Sequence, residues 1–228
     1  MSALLSFYQS SIGKKFFMSI TGLFLCLFLL EHAVGNSLLF LGKEIYEAYS
    51  EALVKNPVIR TIEIGLFLSL LVHPMLGGWL WFVNRRSRPV KYDVYQLKEN
   101  APWYSRSTML TGLTIFGFLL LHLYSFFFKI RFTPVHPSGY DLVVHKFQDP
   151  LFVSVYVVCI GLLGFHLRHG FQSGSQTLGL RNKKYTPLID KVAFLFWFII
   201  PAVFISLPIY FYFFWRPAMN GAMTAWIF

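Results

Sequence analysis

Five apolar runs of about 20 residues recur along the chain, and no other feature limits its fold as strongly. A helix rises ~1.5 Å per residue, so each run is long enough to cross a hydrocarbon core of ~30 Å. The runs lie at about 16–40, 58–83, 108–128, 151–171 and 192–215, separated by loops of about 20 residues. Only 13% of the residues are charged, about half the share a water-soluble domain carries. With 56% hydrophobic and 19% aromatic residues, the composition excludes both a soluble globular fold and a disordered chain. The expected fold is all-α, an integral membrane bundle of five transmembrane helices forming a single membrane domain over residues 1–228.

Lys14 and Lys15 precede a first run that holds Glu31 and His32 and has no small-x-small exit, so it reads as a span and not as a cleaved signal. Residues 1–13 read as a short interfacial segment on the inner face. The net charge of +10 gives no nucleic-acid partner, because the Lys and Arg cluster between the apolar runs. Thirteen of these twenty residues, Lys14, Lys15, Arg85, Arg86, Arg88, Lys91 and Lys98 among them, fall on one side of the expected membrane and seven on the other. The positive-inside rule then puts the N-terminus in the cytoplasm and the C-terminus outside. Cys26 and Cys159 each sit alone in an apolar run, so neither a disulfide framework nor a zinc site is expected. No repeat is apparent, and Pro201 and Pro208 should bend the fifth helix.

Seven histidines occur, and His32, His73, His122, His166 and His169 lie within or at the ends of the spans. An ionisable side chain at that depth is costly and usually faces the bundle interior with a partner. His32 and His122 stand about 16 and 14 residues into spans that start on the inner side, roughly 24 and 21 Å up. His73 and His166 stand about 15 residues into spans that run the other way, roughly 22 Å down from the outer side. The result is two pairs at two depths, each joining alternate helices that are diagonal if four helices form a ring in sequence order. Diagonal imidazoles at matched depth approach a central plate from opposite sides, which is what a haem iron with two axial nitrogens requires. Gly35, Gly77, Gly78, Gly117 and Gly170, about one turn from these histidines, would leave gaps for such a plate. A haem-free proton relay or transporter, and a packing role, remain open on spacing alone. His169 is a rival to His166 one turn nearer water, while His136 and His145 fall in the loop after the third span.

The stretches LLEHAVGN (29–36), LVHPMLGGWLWFVNRRSR (71–88), LLLHLYSF (119–126) and GFHLRHGFQSGSQTLG (164–179) resemble the cytochrome b membrane anchor of succinate dehydrogenases and fumarate reductases, in its single-chain, five-helix, dihaem b558 form. The resemblance implies two haem b groups, with His73 and His166 on the inner iron and His32 and His122 on the outer one. It further implies a bacterial inner-membrane location, a flavoprotein subunit with FAD and an iron-sulfur subunit on the cytoplasmic face, and electron exchange with a quinone, most simply menaquinone. The cytochrome b subunit of a hydrogenase or formate dehydrogenase is the alternative of the same class.

Quinone reduction takes up protons, so an acid is expected near the outer haem. Glu63 is the first choice, by partial burial near the start of the second span, and Glu31, read as buried beside His32, the second. Glu44, Glu47 and Glu51 read as solvated loop acids. For the haem propionates, Ser19, Trp103, Arg106, Arg168 and Lys183 are the inner candidates and Lys146 the outer one.

Overall fold

The structure, a computed structural model, describes residues 7, 10–87, 103–133 and 137–215. Every regular element among them is helical: α1 Ser11–Leu41, α2 Lys43–Lys55, α3 Pro57–Arg86, α4 Trp103–Arg106, α5 Thr108–Phe132, α6 Gly139–Lys146, α7 Pro150–Thr177 and α8 Thr186–Phe213. Five of these, α1, α3, α5, α7 and α8, are long and apolar enough to cross a membrane, and the architecture is that of a multi-pass membrane protein. Large apolar side chains such as Met75 and Leu151 lie largely exposed on it, as a lipid-facing surface requires. Arg88, Lys91, Lys98, His136 and most of the expected interfacial segment 1–13 lie outside the described residues.

The helix starts are written locally. Ser10 caps α1, its Oγ accepting from the Gly13 amide at 2.9 Å, so the first helix begins five residues before the expected position. Asn56 followed by Pro57, and Asp149 followed by Pro150, repeat one device: a side-chain oxygen takes the free amides of the first turn while proline fills a position whose N–H has no helical acceptor. Between α1 and α2 the chain turns at Gly42, whose φ of 104° favours a residue without Cβ.

Four of the long helices form a ring in sequence order: α1 packs on α3, α3 on α5, α5 on α7, and α7 back on α1. The fifth, α8, lies outside this ring against α7 and α1. Pro201 has no N–H to give the Trp197 carbonyl four residues earlier, and the helix takes a π-helical segment over Leu195–Ile199. The Trp197 carbonyl comes so close to α7 that a Cβ on Gly164 would stand 2.8 Å from it. Because that neighbour is backbone, Gly164→Ala is expected to lower stability by about 1–3 kcal/mol through forced separation of α7 and α8. Thermal unfolding of the detergent-solubilised chain measures this, and an unchanged midpoint would refute the close contact.

One end of the ring carries a cap that the sequence reading left as loops. α2 and α6 lie together there, joined by an ion pair between Lys43 and Asp141. Glu47 is not a solvated loop acid: it accepts from Ser138 Oγ at 2.7 Å and from the Tyr140 amide at 2.9 Å, holding the start of α6. Glu44 is exposed, and Glu51 pairs with Lys55 along α2, which holds its carboxyl below the usual value. Beneath this capped end sits the larger apolar core, in which Leu39, Phe126, Val144, Phe147, Tyr156 and Phe211 meet. A second core around Cys26, Leu167, Phe196 and Ile200 joins α1, α7 and α8. Neither core includes a residue of α3, and α3 has no fully buried residue although it closes the ring. Dense apolar packing therefore lies beside the ring and under its cap.

Candidate paired-histidine site

The diagonal helices of the ring bring their histidines together. His32 of α1 and His122 of α5 lie with ring centres 5.8 Å apart and planes at 88°. His73 of α3 and His166 of α7 lie 6.4 Å apart at 76°. The first pair is nearer the cap and the second nearer the opposite, basal end. Thr111, which touches His166, and His122 are eleven residues apart on α5, so about 16 Å of helix rise separates the two levels.

Each imidazole is placed by its own neighbours. Thr21 Oγ1 of α1 lies 3.3 Å from Nδ1 of His73, and Thr111 Oγ1 of α5 lies 3.4 Å from Nδ1 of His166. At the upper level the Tyr156 hydroxyl of α7 is 3.0 Å from Nδ1 of His122, its ring set among Phe118, Phe126, Phe147 and Phe152. His32 is held by stacking on Phe28, with centres 5.1 Å apart and planes at 23°, and by Phe204 of α8.

These dimensions suit two axial ligands of one metal. Metal–imidazole bonds are about 2 Å, so imidazoles on opposite sides of a metal have ring centres roughly 6 Å apart. All four rings keep accessible surface deep within the bundle, and a Cβ on Gly78, Gly117, Gly161 or Gly170 would meet no atom within 4 Å. The residues present therefore fit a planar group lying between each pair. Two of the expected gaps are different: Gly35 packs against Tyr49, 2.9 Å from its Cβ position, and Gly77 faces Met18.

The other expected site residues fall in several places. His169 is half-buried one turn toward the basal end, and the ring facing His73 is that of His166. His145 is exposed on α6. Ser19 is buried against Gly174 of α7 and donates to the Lys15 carbonyl at 2.9 Å. Trp103 packs edge-on to Phe165, next to His166 in sequence, at 4.6 Å. Arg168 is sandwiched between Tyr104 and Trp197, its guanidinium 4.5 and 5.0 Å from their centres. Arg106 is exposed near the basal end. Lys183 lines a basal cleft with Arg181 and Asp190, away from both histidine pairs. Lys146, at the capped end, lies over the Phe152 ring, and burial, then the nearby Lys129, pull its ammonium below the usual value.

Of the two acids, Glu63 is partly buried near the start of α3, as expected, and Glu31 differs from expectation. Glu31 is exposed on the flank of α1 and not buried; its Oε1 accepts from the Tyr49 hydroxyl of α2 at 2.9 Å. Burial first, then this bond and the carboxylate charge, hold the Tyr49 phenol above its ordinary value, so it remains a donor. Glu63 is ion-paired with Arg60 at 2.5 Å and lines a small cleft with Phe127 and Arg131.

Thr21, Thr111 and Tyr156 escaped the sequence reading, yet a signal for the threonines was present. Residues 20–32 and 110–122 are a repeat: Thr21, Gly22, Leu23, Phe28, Leu29, Leu30 and His32 recur as Thr111, Gly112, Leu113, Phe118, Leu119, Leu120 and His122. The chain thus contains an internal repeat, contrary to the expectation that it has none. The two copies act alike, each presenting Thr-Gly to a lower histidine on the next helix and carrying an upper one. Comparison with family models, with curated proteins and with solved structures finds no match.

Proposed function

We propose that this chain is a dihaem cytochrome b, the membrane anchor of a succinate:quinone oxidoreductase of the succinate dehydrogenase or fumarate reductase type. The observation that carries the reading is the presence of two diagonal imidazole pairs, 5.8 and 6.4 Å apart, at two levels of one four-helix ring. His73 and His166 would hold the lower haem b, and His32 and His122 the upper one. Bound there, haem supplies reversible one-electron transfer. The chain contributes the axial nitrogens, the spacing of the two levels and an apolar wall that keeps water out.

The resemblance of the four histidine-bearing stretches supplies the rest. On that basis the basal end faces the cytoplasm of a bacterial inner membrane and meets an iron-sulfur subunit, itself bound to a flavoprotein with FAD. Its described charged residues favour an acidic partner, since among them the sole carboxylate, Asp190, is bonded to Arg181. A menaquinone would react near the capped end. Glu31 suits the proton transfer better than Glu63: it adjoins His32 in sequence, reaches the lipid-facing surface and shares a proton-bearing phenol, whereas Glu63 is engaged by Arg60.

The test is a pyridine haemochrome assay with a reduced-minus-oxidised spectrum on the purified chain, where about two haems b are expected. A membrane-inserted chain that takes up no haem under conditions of haem supply would overturn the reading and leave the imidazoles to a proton path or to packing.

A further inference from the structure

Thr21 and Thr111 do more than fill space beside the lower histidines. A threonine hydroxyl has one proton, and Thr21 Oγ1 faces two carbonyls of its own helix, Phe17 at 2.9 Å and Met18 at 3.1 Å. Thr111 Oγ1 likewise faces the Thr108 carbonyl at 3.1 Å. Each hydroxyl proton is thus directed along its own helix, and toward the imidazole the oxygen offers only lone pairs. A backbone carbonyl is a second acceptor at each ring, Met18 for His73 and Thr108 for His166, so the nitrogen at that edge carries the hydrogen: Nδ1–H is shared between the threonine oxygen and the carbonyl, and the second nitrogen, Nε2, keeps its lone pair. Glycines permit the approach. A Cβ on Gly22 would stand 3.0 Å from Cε1 of His73, and one on Gly112 would stand 3.2 Å from Cε1 of His166. The same Thr-Gly pair, together with a carbonyl of its own helix, thus sets the tautomer and the position of both rings from opposite sides of the bundle.

We infer that Thr21 and Thr111 are positioning residues that fix His73 and His166 in the Nδ1–H form, so that each offers Nε2 as a ligand and donates more strongly to an oxidised metal. The inference rests on the haem reading of these histidines, but its first consequence, the tautomer, is a property of the chain alone. A hydrogen bond from Nδ1–H gives the ring imidazolate character, which favours the oxidised metal and lowers its potential.

The experiment uses the full chain in lipid nanodiscs, as Thr21→Val, Thr111→Val, Gly22→Ala and the control Thr21→Ser. In the haem-loaded protein, the component lost in His73→Ala is expected to move to a more positive potential in both valine variants and in Gly22→Ala. Haem affinity at that level should fall about 10-fold or more in the valine variants, and serine should restore both properties. In haem-free protein with nitrogen-15-labelled histidine, His73 and His166 should be Nδ1–H, with a mixed tautomer population for the ring whose threonine has become valine. Unchanged potential and affinity in loaded valine variants, or Nε2–H rings in the parent, would overturn the inference. Failure of the parent to bind haem would overturn the function proposed above, and the tautomer measurement would still decide this one.

Discussion

His73→Ala and His166→Ala are expected to remove the same spectral component, and His32→Ala and His122→Ala the other, each single change taking the haem content from about two to about one per chain. The expectation follows from the pairing in space: a haem held between two helices loses half its axial ligation when either ring is cut back to a methyl group. The levels are about 16 Å apart along the helices, so the change at one level should leave the ligands of the other in place. Spectra of all four variants, at matched membrane insertion, make the measurement. If His32→Ala and His73→Ala removed the same component, the diagonal assignment would be wrong. If His166→Ala kept both components while His169→Ala lost one, the ligand on α7 would be His169.

Glu31→Gln should slow oxidation of the reduced chain by a menaquinone analogue about 10²–10⁴-fold, the range that loss of a general acid produces. Glutamine keeps the size of the side chain and can still accept from Tyr49, so haem content should not change. Glu63→Gln should cost less than about tenfold, because that carboxylate is already committed to Arg60. Stopped-flow reoxidation at constant haem loading separates the two. The opposite ranking, a fast Glu31→Gln and a slow Glu63→Gln, would place the proton transfer in the cleft at the start of α3 and refute the choice made here.

Much of this fold could be read without coordinates. The five helices, and the level of each membrane histidine within its own helix, follow from run length and a constant rise, which depend only on local sequence. The cap could not be read this way. α2 lacks a membrane-length apolar run, so a search for spans passes over it although Tyr46, Tyr49 and Leu53 recur at helical spacing; that pattern does not tell that the helix supplies Tyr49 to Glu31 and Glu47 to the start of α6. Gly35 shows the same limit: the expected gap beside His32 is filled by Tyr49, a residue of that unrecognised helix.

Sequence alone therefore determined how many helices are long enough to cross a membrane, the level of each histidine within its own helix and which helices could share a level, because each of these is a count of residues along one element. Only the tertiary structure decided which edge of each imidazole is held, which acid reaches the surface and which glycine is a gap. Those depend on how each helix is rotated about its own axis. That rotation is set by contacts between elements, such as the Trp197 carbonyl against Gly164 and the His73 ring against Gly22, which no single helix specifies.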